Sequence, residues 1–132
     1  MKKVIAFTVL VWISVAFASA VIVDNSLMAR SEGSQIQLYW KTGTETNLRT
    51  FTIERKTVNG NFIQIAEISP KGSNSDYSYV DDNLYKSTSN VFVYRVKIVD
   101  NNDSYTYSKE LTVSHSPSDI KRTWGSIKAM FR

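Results

Sequence analysis

Three groups of oxygen-bearing side chains are the places where this sequence could site chemistry. Glu45 and Asn47 stand in a loop between two predicted strands, where a carboxylate could hold a cation or a partner. Loop side chains of this type more commonly hydrogen-bond nearby backbone, which makes loop anchoring the expected role. Asp81-Asp82-Asn83 and Asp100-Asn101-Asn102-Asp103 are oxygen-rich enough for calcium. Neither has the spaced ligand series and closing bidentate Glu of a dedicated calcium loop, so both read as turns. The chain has no cysteine, which excludes a disulfide framework, a thiolate zinc site and a thiol nucleophile. His115 is the single imidazole, so a cluster of His metal ligands is excluded, and it falls in a predicted linker. Serines are frequent between residues 69 and 89, yet none sits in a Gly-x-Ser-x-Gly elbow, and no Gly-rich phosphate loop is present. Glu54-Arg55-Lys56 and Arg95 with Lys97 read as outward charges on a solvated strand face. No enzyme, cofactor or metal is expected from these patterns.

The other distinctive group lies at the C-terminal end. Ser116-Pro117-Ser118 breaks the last predicted strand, and Ser118 with Asp119 suits the start of a helix. At helical spacing Ile120, Trp124, Ile127 and Phe131 fall within about 60° of one another, with Met130 beside them. Lys121, Lys128 and Arg132 form an adjacent stripe, and Arg122 lies opposite the apolar face. The spacing predicts a basic amphipathic helix over 119–132 that forms only against a surface, because Gly125 costs about 1 kcal/mol and so short a helix is marginal in water. The surface is the chain's own sandwich, an anionic membrane, or a groove on a partner protein. A nucleic-acid partner is not expected, since the rest of the chain is slightly acidic.

These groups must be carried by a small chain. Its 132 residues allow one domain with a modest core. The net charge of +4 is concentrated at the two ends: residues 1–20 carry +2, residues 119–132 carry +3, and the 98 between them carry −1. The N-terminal charge belongs to an export signal. Lys2 and Lys3 precede an apolar run over 4–18, and Ala18-Ser19-Ala20 supplies small residues for cleavage after Ala20. The mature chain is then expected to start at Val21, in a bacterial periplasm, on the cell surface or outside the cell.

Residues 21–115 read as an all-β domain. Apolar residues alternate with polar ones at period two: Ile36, Leu38 and Trp40 share a face, as do Phe51 with Ile53, and Phe92, Tyr94, Val96 with Ile98. Strands are predicted over 27–30, 35–41, 50–55, 62–68, 77–80, 90–100 and 104–113, each bounded by Gly, Asn, Asp or Ser. Seven short strands make a two-sheet sandwich the economical architecture, with Trp40 in the core and the Tyr94 hydroxyl tied to nearby backbone.

The order of these residues carries a resemblance. Trp40-Lys41-Thr42-Gly43-Thr44-Glu45-Thr46-Asn47, followed by Phe51-Thr52-Ile53-Glu54-Arg55, resembles the W-x-T-x-x-E-x-N…F-x-I-E-R pattern of bacterial fibronectin type III-like domains. Gly60-Asn61-Phe62, Tyr77-Ser78-Tyr79-Val80-Asp81, Tyr94-Arg95-Val96-Lys97-Ile98-Val99-Asp100 and Tyr107-Ser108 follow in the matching order. The resemblance implies an immunoglobulin-like sandwich over residues 21–115. It also implies the role such domains have in large exported bacterial proteins, including type IX-secreted ones: spacer, interaction module or adapter, without catalytic residues of their own. The Y-P-N-P-like segment of type IX sorting domains does not follow the last predicted strand. The expectation is therefore a non-enzymatic exported module of the cell envelope that interacts through its sandwich surface and basic tail, or is held at a membrane by that tail. A small hydrolase is the remaining alternative.

Overall fold

The computed structural model describes residues 21–84 and 89–115. The predicted export signal over 1–20 and the predicted helix over 119–132, with all eight of its candidate contact residues, lie outside the described residues.

Among the described residues eight strands form in chain order: β1 (Met28–Glu32), β2 (Gln35–Lys41), β3 (Leu48–Thr57), β4 (Ile63–Ile68), β5 (Asp76–Asp81), β6 (Val91–Asp100), β7 (Tyr105–Tyr107) and β8 (Leu111–Ser114). They divide into a three-stranded sheet in the order β1-β2-β5 and a five-stranded sheet in the order β4-β3-β6-β7, with β8 also paired to β6. Every pairing is antiparallel. Three connections return to a neighbouring strand, β1–β2, β3–β4 and β6–β7, and the first and last of them are tight. Gly33, at φ 60°, turns β1 into β2, a backbone conformation that a Cβ disfavours. Asp103, at φ 68°, closes the β6–β7 turn, where its N–H donates to the Asp100 carbonyl at 3.1 Å.

The alternation seen in the sequence becomes the core. Ile36, Leu38 and Trp40 of β2, Phe51 and Ile53 of β3, and Phe92, Tyr94, Val96 and Ile98 of β6 are all buried between the sheets. Trp40 stacks on Tyr77 with centroids 5.3 Å apart, and Phe51 meets both rings edge-on at 5.8 and 4.9 Å. Offset and edge-to-face packing of this kind suits the charge distribution of aromatic rings.

The predicted seventh strand over 104–113 is instead two strands. Tyr107 pairs with Lys97, whereas Leu111 pairs with Tyr94, so three residues of one chain segment oppose two of the other. Ser108 creates this bulge. Its N–H donates to the Val96 carbonyl at 2.8 Å, while its Oγ accepts from the Val96 N–H at 2.8 Å in place of a backbone oxygen. The extra residue changes the phase of the strand, which brings Leu111 and Val113 back to the core side.

Candidate functional site

Period two places Arg55 of β3 on the same side as Phe51 and Ile53, and Asp81 of β5 on the same side as Tyr77 and Tyr79. Both therefore point between the sheets. Asp81 has a side chain 1% exposed, and its Oδ2 lies 2.6 Å from Arg55 Nη1. The Tyr94 hydroxyl donates to the same oxygen at 2.6 Å, and the Asn83 N–H donates to Oδ1 at 3.3 Å. The guanidinium also lies 5.6 Å from the Phe92 ring centroid. Three sequence expectations are corrected here. Arg55 is not an outward charge, Asp81 is a buried strand residue rather than part of an open turn, and Tyr94 bonds a carboxylate rather than backbone. The reason is common to all three: a charge on the inner face is retained when an opposite charge and a phenol meet it there.

Glu45 closes the other end of the β5 edge. Its Oε1 accepts from Thr42 Oγ1 at 2.6 Å and from the Tyr77 hydroxyl at 2.5 Å, and its Oε2 accepts from the Gly72 N–H at 2.8 Å. The Glu45 N–H donates to Ser73 Oγ at 3.0 Å. This carboxylate thus fastens the segment before β5 to the segment after β2. Asn47, at φ 59°, accepts from the Asn101 N–H at 2.9 Å through its carbonyl and from Asn101 Nδ2 at 3.2 Å through Oδ1. Glu45 and Asn47 are loop anchors. Glu45 reaches Tyr77, four strand residues or roughly 13 Å from Asp81, so the two carboxylates do not share a site.

His115, placed in a linker by sequence, is buried. Its Nδ1 lies 2.7 Å from Ser31 Oγ on β1, and its N–H donates to the Asn90 carbonyl at 2.7 Å. The ring thus joins the end of β8 to the opposite sheet, because the bulge at Ser108 carries β8 to the side facing β1.

Burial raises the pKa of three phenols, Tyr79 by desolvation and the nearby carboxylates of Asp81 and Asp82, and Tyr77 and Tyr94 more strongly. Tyr77 is pushed up to about 12, first by desolvation and then by donating to Glu45. Tyr94 is pushed further up, again chiefly by desolvation, then by its hydrogen bond to Asp81. Both are neutral in the folded chain at ordinary pH. A phenol whose folded value is raised stabilises the fold fully below its unfolded value near 10 and ceases to do so as pH rises through the folded value. Stability is therefore expected to fall between pH 10 and about 12 as unfolded phenols ionise. In Tyr77→Phe the slope of this fall should be shallower, measured by urea denaturation at a series of alkaline pH values.

The solvent side of the five-stranded sheet is the remaining candidate. Arg95 of β6 lies between two rings, 3.8 Å from the centroids of Phe62 and Tyr107, with its Nε 2.7 Å from Glu54 Oε1. Lys97 lies 4.2 Å from the centroid of Tyr105, whose ring meets Tyr107 edge-on at 5.4 Å. Arg95 and Lys97 do lie on the outer face, but they stack on aromatic rings rather than standing free. Beside them, short side chains on β3 and tall ones on β4 and β7 leave a trough lined by Thr50, Thr52, Gln64, Glu67, Lys97 and Tyr105. Sequence reasoning passed over this surface. Its signal is the shared phase of Tyr105 and Tyr107, legible only once β7 is known to neighbour β6.

No protein-family model matches the chain, and no curated protein matches it. Solved structures do. A pectate lyase from Erwinia chrysanthemi in complex with tetragalacturonic acid is 17% identical with a TM-score of 0.53, over 73% of this chain and 28% of that one. A pectate lyase from Pectobacterium carotovorum is 20% identical with a TM-score of 0.50, over 74% of this chain and 27% of that one. OgpA from Akkermansia muciniphila is 10% identical with a TM-score of 0.57, over 73% of this chain and 27% of that one. What they share with this chain is an all-β fold. The chain spans little more than a quarter of their length, so the likeness is to one part of larger proteins.

Proposed function

We propose that this chain is a non-enzymatic exported binding module, a fibronectin type III-like sandwich that binds or positions a partner through its surface and the basic segment 119–132. The observation that carries this reading is the contrast between the interior and one outer face. Asp81 and Glu45 are committed to structural contacts at separate places. The outer face of the five-stranded sheet meanwhile exposes tyrosines beside Arg95 and Lys97. Tyrosine and arginine are the side chains that most often dominate binding hot spots. The fibronectin type III-like assignment is supported by the residues that carry the resemblance: Trp40, Phe51, Ile53, Tyr77 and Tyr94 converge in one core.

The test is truncation after Ser118. The core residues from Leu27 to Val113 all precede the removed segment and pack on one another, so the shortened chain is expected to keep its β circular dichroism and cooperative unfolding. Its association with partner proteins or anionic vesicles, measured by co-sedimentation and pull-down, should fall at least tenfold, the scale of losing one or two anchor side chains. Full association by the truncated chain would overturn the role of the segment.

A further inference from the structure

We propose that the trough on the outer face of the five-stranded sheet binds a neutral oligosaccharide chain, an inference that rests on reading the chain as a binding module and names a ligand class for its sandwich surface. Register fixes the geometry. Thr52 of β3 lies beside Glu67 of β4 on one side and Lys97 of β6 on the other, and Lys97 lies beside Tyr107 of β7. The adjacent row places Thr50 beside Val99, and Val99 beside Tyr105. Alternate residues of one strand share a face, so these rows form a continuous surface. Its floor is threonine and valine, and one wall is a tyrosine ridge. The opposite wall carries Gln64 and Glu67, with the Gln64 amide donating to Glu67 at 3.1 Å.

Charge decides the ligand class. Arg49 is paired with Asp103, and Arg95 with Glu54. Among the described residues Lys97 has no carboxylate within ion-pair distance, and Glu67 has no cation there. They stand two strands apart, about 10 Å between backbones. The trough thus offers one cation and one carboxylate that lack an ion-pair partner among the described residues, across a width that neither side chain closes. A polyanion would meet Lys97 but also Glu67, and the Arg49–Asp103 pair beside them adds no net charge. A neutral sugar chain suits both walls, because each hydroxyl donates and accepts. Tyr105 is 53% exposed even with Lys97 over its ring and Tyr107 against it, and that exposed aromatic surface suits contact with the carbon-bearing face of a sugar ring. An extended peptide would seek an open strand edge for its backbone, whereas the strands beneath this floor are paired on both sides.

The full chain should be titrated calorimetrically with cellohexaose, xylohexaose and mannohexaose, and separately with oligogalacturonate and an acidic peptide. At least one neutral chain is expected to bind saturably. Tyr105→Ala should weaken that binding about tenfold, the scale of one lost aromatic contact, and Tyr105→Phe should restore it. Lys97→Gln and Glu67→Gln should each weaken it severalfold without changing circular dichroism, since both are outer-face side chains. Failure of all three neutral chains, preference for the uronate or the peptide, or full binding by Tyr105→Ala would each overturn the inference. Loss of the trough inference alone leaves association through segment 119–132 intact, and the truncation experiment reads that separately.

Discussion

Asp81→Ala is expected to destabilise the sandwich by about 3–5 kcal/mol, the scale for removing one partner of a buried ion pair. The argument is one of asymmetry. With the carboxylate gone, Arg55 keeps its charge on the inner face, and the Tyr94 hydroxyl loses its acceptor. The Arg55 side chain is 16% exposed, so it retains a path to water, which favours the lower part of that range. Asp81→Asn should cost less, because the amide oxygen still accepts from Tyr94 while Arg55 loses only its countercharge. Replacing both partners by apolar residues, as in Arg55→Met with Asp81→Leu, is expected to cost less, about 1–3 kcal/mol, since no uncompensated charge remains and only the Tyr94 hydroxyl is left without its acceptor. Urea denaturation of the four proteins would show this order. Equal costs for the single and double variants would mean that the pair contributes through packing. The solvent-side pair of Lys41 and Asp76 provides the control. At 3.7 Å and with side chains 68% and 80% exposed, its removal should cost under about 1 kcal/mol.

Trp40→Ala is expected to cost about 3–5 kcal/mol, the range for truncating a buried aromatic side chain to alanine. Trp40 is 1% exposed and packs against Tyr77 and Phe51 at once, so its loss leaves a cavity that two rigid rings cannot fill. Trp40→Phe separates volume from polarity. The indole Nε1 is buried and has no hydrogen-bond partner among the described residues. Phenylalanine therefore removes no hydrogen bond and relieves an unsatisfied donor, leaving only the smaller ring to count. Its cost should stay near 1–2 kcal/mol, set by the lost apolar area. Thermal and urea unfolding followed by circular dichroism would measure both variants. A Trp40→Phe cost equal to that of Trp40→Ala would show that the indole nitrogen is engaged after all.

Much of the architecture was legible from one dimension. Strand phase identified the inner faces of β2, β3 and β6, because a side chain must point to one face or the other and water rewards only one choice for Ile, Phe and Trp. The same rule placed Arg55 inward, in phase with Phe51 and Ile53, yet its charge argued for the surface. Charge was the misleading signal there. The residue that reverses it, Asp81, lies 26 positions away in the chain and on the other sheet. His115 was misplaced for a related reason. Its environment depends on a one-residue bulge at Ser108 that alternation alone does not reveal.

The sequence by itself determined the all-β class, the inner faces of β2, β3 and β6 and the absence of thiol chemistry. It did so because hydrophobic alternation and residue type are local properties. Only the tertiary structure decided that Arg55, Asp81 and Tyr94 meet, that Glu45 fastens two loops, and that Tyr105, Lys97, Thr52 and Glu67 line one trough. Those outcomes depend on which strands are neighbours and in what register. Both follow from the packing of the whole chain, for which a period of two carries no address.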